Sequence, residues 1–373
     1  MFLGDLGADV VKVEQPGAGD DTRGWGPPFA GGESAYYLCI NRNKQSLTLD
    51  LKSTPAVELL RELVKVADVI IENFRPGTME RLGLGEKELR ELNPRLIFAS
   101  LTGFGADGPM SDWPGYDLIV QAWGGLMSIT GTPDGEPVKV GVAIIDLVAG
   151  LMLGKAITAA LFAREKIGVG QRIDTSLLEA EVASLINVGS NYLVGGKVPM
   201  RWGNAHPNIV PYQNFPTADG YLVIGVASEV IWKRFCPAIG RPELTEDARF
   251  ANNSQRVENR SELIALLSET FSQRQNDAWF KLLTAAEVPC APVQTIDQVF
   301  QARQVLQRDM LTEIDHPTAG KVRMAGIPVK FSVTPATIRM PPPLLGEHNV
   351  EILTTWLGMS ADAVDELKRE KVI

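Results

Sequence analysis

The sequence predicts an α/β protein with a Rossmann-like large domain on a parallel sheet, joined to a smaller α+β domain. Three observations carry this. From residue 8 to about 102, short β-rich runs alternate with amphipathic stretches of helical spacing. A long apolar stretch follows at 142–163. After about residue 191, Gly and Pro become frequent and the texture turns to loops and hairpins.

Residues 1–7 read as the back half of a helix capped at Gly7, leading into a strand at 9–13, so a further strand and the start of that helix are expected upstream. Then come VVKVE, SLTLDL, a helix over 55–66, DVIIENF, a helix over 86–92 and the strand LIFASLTGFG. Strand, helix, strand repetition of this kind builds parallel βαβ units with right-handed crossovers. A helix over 147–166 is stopped by the Gly-Val-Gly at 168–170, and QRIDTSLLEAEVASLI opens another strand and helix. The apolar run at 142–163 has the length of a membrane span, but it contains Asp146 and Lys155, charges that cost about 3 kcal/mol each in a lone span. A helix apolar on most faces is expected to be a buried core helix, with no membrane involved.

The boundaries expected are 1–195 for the large domain, 196–324 for the small one and 325–373 for a segment returning to the large domain. Within the small domain and the tail, helices are expected at 229–239, 261–272, 277–285, 296–307 and 349–357, with strands at 312–314 and 321–324.

Composition narrows the chemistry. The chain has 373 residues, 45% hydrophobic and 22% charged, and a net charge of −9, which excludes the basic field that nucleic-acid backbones require. Anionic ligands must be met by local groups. Cys39, Cys236 and Cys290 form no CxxC, which speaks against a disulfide framework or zinc site and for a reducing compartment: the cytoplasm, or the mitochondrial matrix in a eukaryote. No basic segment follows Met1, so no signal peptide is expected. Histidine occurs only at 206, 316 and 348, too sparse for a histidine metal site, and no metal is expected. GxSxG, GxxxxGK[ST], HExxH and a strand-linked GxGxxG are all absent. Glu14, ending VVKVE, stands where a ribose-binding carboxylate would, or is a strand-end surface charge.

Several longer blocks, in order, carry a resemblance: GDLGADVVKVEQPGAGDDTR, NRNKQSLTLDL, ADVIIENFRPGTMERLGLG, NPRLIFASLTGFG, PGYDLIVQAWGGLMSITG, GVAIIDLVAGL, GQRIDTSLLEA, GNAHPNIVPYQ and PLLGEH. Together they resemble the class III CoA-transferases, a family that includes formyl-CoA and carnitine CoA-transferases and the related α-methylacyl-CoA racemases. GDDTRGWGPPF, RWGNAHPNIVPYQ and PPPLLGEH are most similar to its succinyl-CoA:glutarate branch. The resemblance implies CoA thioesters and carboxylic acids as substrates, no tightly bound cofactor, and an interlocked homodimer.

It also places Asp146 on the family's nucleophilic carboxylate. From the residues alone, Asp146 sits at the N-cap position of the following helix, where it equally fits a plain cap; helix amides there would favour its ionised form. Tyr116 and Asp117, in PGYD, become neighbours of the substrate by resemblance; alone, they read as a buried aromatic beside a turn and a helix cap. Racemases of this fold carry histidine where Tyr116 stands, which argues for transfer over racemisation. Arg42, Lys44, Asn73, Phe74, Arg75 and Arg81 are candidates for CoA phosphates and adenine, at the carboxyl ends of presumed parallel strands; singly, each basic residue also fits a solvated surface. Gly203, Asn204 and His206 lie on a loop that by resemblance covers the reacting centre, with His206 alone fitting a turn. Arg201, just before it, is a candidate for the far carboxylate of a diacid, or a surface arginine at a domain boundary. Transfer of CoA between dicarboxylic acids leads; racemisation of an acyl-CoA and CoA binding without turnover are the rivals.

Overall fold

The computed structural model describes residues 1–373. The chain divides into two compact units, Met1–Gly124 with Gly141–Ser184 and Phe300–Ile373, and Gly125–Val140 with Leu185–Val299.

In the first unit the alternating pattern does produce parallel pairing. Val11–Glu14 pairs with Gln45–Thr48, and Ile97–Thr102 lies between Val69–Glu72 and Arg172–Ser176, with Val69 opposite Ile97 and Phe98 opposite Arg172. The helix Thr54–Val66 begins where Ser53 Oγ accepts the Ala56 amide at 3.4 Å and Pro55 sits in the first turn. Its apolar positions 56, 59, 60, 63 and 64 share one face, and that face is buried with Leu47, Leu49 and Phe98. Ile352 and Leu353, from the helix Asn349–Leu357, close the same core. The tail also pins the strand Gln45–Thr48: the Thr48 amide donates to Asn349 Oδ1 at 2.9 Å and the His348 amide to the Ser46 carbonyl at 3.1 Å.

The long helix spans Ile144–Ile167 and ends at Gly168, whose φ of 80° is the left-handed C-cap expected. Gly170 is required for a different reason. A Cβ there would stand 1.9 Å from the Leu96 carbonyl oxygen, so only glycine lets the chain enter Arg172–Ser176 beside Ile97–Thr102. The helix is not the fully buried core element its hydropathy predicted. Ile145, Ala149, Leu153, Ile157, Ala160 and Arg164 form one buried stripe, and Leu153 and Ile157 meet Ala99 of the sheet. Leu147, Leu151, Phe162 and Ile167 are exposed. Average hydropathy reports that a helix avoids water; it does not report how many faces its own chain covers.

The second unit is α+β. Its antiparallel sheet orders Cys290–Pro292, Tyr221–Gly225 and Tyr212–Pro216, backed by the helices Glu229–Ala238, Arg260–Phe271 and Asn276–Ala285 around Phe215, Trp232, Phe235, Phe271 and Trp279. Arg256 is fully buried there, held by both Glu229 oxygens at 2.9 Å and by the Val210 and Phe250 carbonyls.

The division does not follow the boundaries expected at 195 and 324. The hairpin Leu311–His316 with Gly320–Ala325 groups with the first unit, because Val322 and Met324 pack on Leu38 and the Arg42 guanidinium bonds the Ala325 carbonyl. Residues Gly125–Val140 group with the second, tied by Arg201 to the carbonyls of Thr132 and Gly135. The helix expected over 296–307 is two, Ile296–Gln301 and Arg303–Gln307, split where Ala302 turns extended.

Candidate active site

Asp146 occupies the third position of the Ile144–Ile167 helix, not its N-cap. The N-cap is Ala143, which has no side-chain acceptor for the free amides that follow it. Asp117, first residue of the helix Asp117–Trp123, supplies the acceptor from outside: its Oδ1 takes the Ile145 amide at 2.8 Å and the Asp146 amide at 3.4 Å, while Oδ2 takes Gln121 Nε2 at 2.5 Å. The expectation that Asp146 itself would hold these amides is therefore corrected, as is the reading of Asp117 as a cap of its own helix. Asp146's carboxylate is left without a hydrogen-bond partner.

The electrostatics follow from that exchange. Burial first, and the Asp117 carboxylate second, push the Asp146 pKa above the usual aspartate value. This is opposite to the shift helix amides would have produced. Asp146 remains partly open to solvent, so protein desolvates one side of its carboxylate while the other stays accessible to a reactant.

Tyr36 completes this neighbourhood and was not anticipated. It is the second residue of the helix Ala35–Ile40, whose amides at Tyr36 and Tyr37 are capped by Ser34 Oγ at 3.1 and 3.4 Å. Its phenol is pushed upward in pKa by burial, then by the charges of Asp146, Cys39 and Asp117. The Trp25 ring meets it edge-on at 5.0 Å, and the two line a cleft of about 480 Å³ with Pro27, Pro28, Ala35 and Cys39. A serine cap before two tyrosines was the only sequence signal available. Tyr116, by contrast, is 69% exposed, and the buried-aromatic reading of it does not hold.

The basic candidates fall into two groups on two sheets. Arg42 is 3% exposed, with Nε and Nη2 on Asp5 at 3.0 and 2.8 Å, so its guanidinium is committed to the fold. Lys44 Nζ donates to Asn41 Oδ1 at 2.7 Å, and burial followed by the charge of Lys12 lowers its pKa to about 8. The other group follows the strand Val69–Glu72. Asn73 Nδ2 donates to the Leu101 carbonyl, the exposed Phe74 bonds Glu72 Oε2 through its amide at 2.8 Å, and Arg81 Nη2 donates to Thr78 Oγ1 at 2.7 Å. Arg75 lines a polar cleft of about 410 Å³ at the carboxyl end of the sheet, together with Ser100, Thr102, Arg172 and the carboxylates Glu72 and Asp174. Glu14 is neither a free ribose acceptor nor a surface charge. It is buried, with Arg23 Nε and Nη2 at 2.8 Å and Ser46 Oγ at 2.7 Å.

In the second unit, Gly203 has φ +61° and its amide donates to the Gly131 carbonyl at 2.9 Å. Asn204 Nδ2 donates to Asn214 Oδ1 at 3.0 Å, and His206 sets its ring edge against Tyr212 with Nδ1 accepting the Asn208 amide at 3.1 Å. Arg201 Nε and Nη2 donate to the Thr132 and Gly135 carbonyls at 3.2 and 2.8 Å.

Within the parallel-sheet unit, Asp146 is an unpartnered, partly desolvated carboxylate near a helix start. The chain belongs to CoA-transferase family III, whose sequence profile it matches over residues 1–349, and it is a CoA-transferase. It is 44% identical over 373 residues to the succinyl-CoA:glutarate CoA-transferase of Homo sapiens, covering 100% of this chain and 85% of that protein. It is 44% identical to the succinate–glutarate CoA-transferase of Agrobacterium fabrum over 95% of this chain and 90% of the relative. Among solved structures, a CAIB/BAIF family protein from Brucella suis superposes with a TM-score of 0.84 at 42% identity, over 95% of this chain and 93% of that one.

Proposed function

We propose that this chain moves CoA from a dicarboxylic acyl-CoA, such as succinyl-CoA, to a second dicarboxylate such as glutarate, with Asp146 as the covalent carrier. The observation that carries the reading is the unbonded Asp146 carboxylate, whose helix amides Asp117 has taken. A carboxylate relieved of hydrogen bonds keeps its lone pairs for attack, and partial desolvation makes its ionised form more basic and more nucleophilic. The substrates are those for which the relatives in Homo sapiens and Agrobacterium fabrum are named.

In the first step an Asp146 oxygen attacks the thioester carbonyl, the C–S bond breaks, and CoA leaves as thiolate, giving a mixed anhydride. The thiolate then attacks the Asp146 carboxyl carbon and expels the donor carboxylate, leaving an aspartyl-CoA thioester. The acceptor carboxylate attacks that thioester and releases thiolate again. A last attack by the thiolate on the acceptor's carbonyl yields the new acyl-CoA and restores Asp146. Each step exchanges one activated acyl bond for another, so no ATP is consumed.

Incubation with succinyl-CoA and hydroxylamine should convert Asp146 to the hydroxamate, located by peptide mass spectrometry. Label on another carboxylate, or none while transfer proceeds, sinks the assignment. Asp146→Asn should lower turnover by several orders of magnitude, as loss of a covalent catalyst commonly does.

The reading includes a homodimer. Leu118, Ile119, Trp123, Leu147, Leu151 and Phe162 are exposed apolar residues on two neighbouring helices of one unit, and a second copy of the chain would cover them. Light scattering at micromolar concentration should give twice the chain mass; a monomer would overturn this part.

A further inference from the structure

The central strand Ile97–Thr102 of the first unit changes character along its length. On one face, Ala99 and Leu101 pack with Leu153 and Ile157 of the long helix. On the other, Phe98 enters the core beside the helix Thr54–Val66, but the next two positions are Ser100 and Thr102, each 4% exposed. A central strand of a covered parallel sheet normally runs apolar on both faces. Two buried hydroxyls at its carboxyl end therefore call for polar company, at the place where such sheets receive ligands.

That company is the cleft of about 410 Å³, which both hydroxyls line. Ser100 Oγ donates to Glu72 Oε1, and Glu72 Oε2 accepts the Phe74 amide at 2.8 Å, so this carboxylate is held in place. Thr102 Oγ1 accepts the Gly105 amide at 3.0 Å, and its own proton has no acceptor in the chain. Around them stand four carboxylates, on Glu72, Glu80, Asp107 and Asp174, against two guanidiniums, on Arg75 and Arg172. Arg172 leans on Asp174 at 3.6 Å, whereas Arg75 is exposed and bonded to no acid. Burial first pushes the Asp174 pKa up, and the charges of Glu179 and Asp107 add to it against the pull of Arg172. The lining is thus net negative, with one guanidinium left over.

We propose that this cleft binds a free basic α-amino acid, its carboxylate on Arg75 and its side-chain ammonium among Glu72, Asp107 and Asp174. An excess of carboxylates repels CoA phosphates and dicarboxylates, which sets the cleft apart from the transfer substrates and takes Arg75 away from CoA. A bare diamine satisfies the acids but leaves Arg75 facing a cation. One carboxylate joined to a distant ammonium meets both, through charge-assisted hydrogen bonds, and the Thr102 proton adds a donor for the carboxylate. The volume falls within the range of small-molecule sites, roughly 300–1,000 Å³. The inference stands without the dicarboxylate transfer reading.

The test is calorimetric titration of the full chain with L-lysine, with cadaverine, which lacks the carboxylate, and with L-norleucine, which lacks the side-chain ammonium. Lysine should bind, and the other two should bind at least tenfold more weakly. Asp174→Asn should weaken lysine on the order of 10- to 100-fold, as loss of a hydrogen bond to a charged group does. Asp107→Asn, on an exposed loop where the fold tolerates it, should shift the affinity in the same direction. Arg75→Gln should weaken lysine and leave cadaverine unchanged. No heat with lysine, or unchanged lysine affinity in the folded Asp107 and Asp174 variants, would overturn the proposal. Cadaverine binding as tightly as lysine would remove the carboxylate contact, and norleucine doing so would remove the acidic one. Lysine binding lost in saturating CoA would merge the cleft with the CoA site and overturn it as well. No turnover is read in these titrations, so their failure leaves the transfer reading untouched.

Discussion

Asp117 holds the backbone of Asp146 and repels its side chain: one Asp117 oxygen accepts the Asp146 amide at 3.4 Å, while burial first and the Asp117 charge second raise the Asp146 pKa. The same carboxylate thus fixes the nucleophile's position and sharpens its basicity.

Asp117→Asn should separate these effects. The amide oxygen still accepts the Ile145 and Asp146 amides, but the charge is gone, so the Asp146 pKa falls toward the ordinary value. Asp146 must be ionised to attack, so the acid limb of the kcat/KM profile should move to lower pH. Asp117→Ala loses the cap as well and should cost about 1 kcal/mol of stability. A pH profile of Asp117→Asn that coincides with wild type would refute the coupling.

Asp146 should also weaken the fold it serves. Its folded pKa is raised, so the folded chain holds this proton more tightly than the unfolded one. The resulting destabilisation is fully present above the folded pKa and disappears as pH falls below the unfolded value. Asp146→Asn should therefore raise Tm at pH 7, with the gain fading in acid. A melt showing no gain at neutral pH would contradict the partial desolvation of this carboxylate.

Glu14 and Asp20 predict the reverse behaviour. Burial would raise both, but Arg23 and Ser46 hold Glu14 below its usual range, and Lys12 and Thr22 bring Asp20 down to about 2. Stability from these groups is complete above their unfolded pKa values and is lost as pH falls through the folded ones. Acid denaturation should show this loss below about pH 4, and Glu14→Gln should flatten it. The same variant removes the carboxylate that meets Arg23 at 2.8 Å and leaves it only Glu33 at 3.8 Å, which should cost about 3 kcal/mol at pH 7, read by denaturant melts.

Arg42 should act through folding and not through CoA contact. Arg42→Met strands Asp5, itself 2% exposed, and should destabilise by about 3–5 kcal/mol. Adding Asp5→Leu should restore much of that loss. If the double variant is stable yet its KM for acyl-CoA rises tenfold, Arg42 does reach the cofactor.

What the sequence by itself determined is local. The helix Glu86–Leu92 and the stop at Gly168 depend on periodicity and capping within a few residues, and they lie where the sequence placed them. Parallel pairing was legible too, because the strand and helix alternation leaves few other ways to bury both faces of Ile97–Thr102. Tertiary structure alone decided which charges are spent inside the fold and which stay free. Arg42 and Arg260 are both single arginines in polar segments, yet one meets Asp5, 37 residues away, and the other meets Trp202 with no acid beside it. Asp146 reads as a cap until Asp117, 29 residues earlier, takes the amides it would have used. Ion pairing and desolvation depend on distances across the folded chain, and no spacing along the sequence encodes those distances.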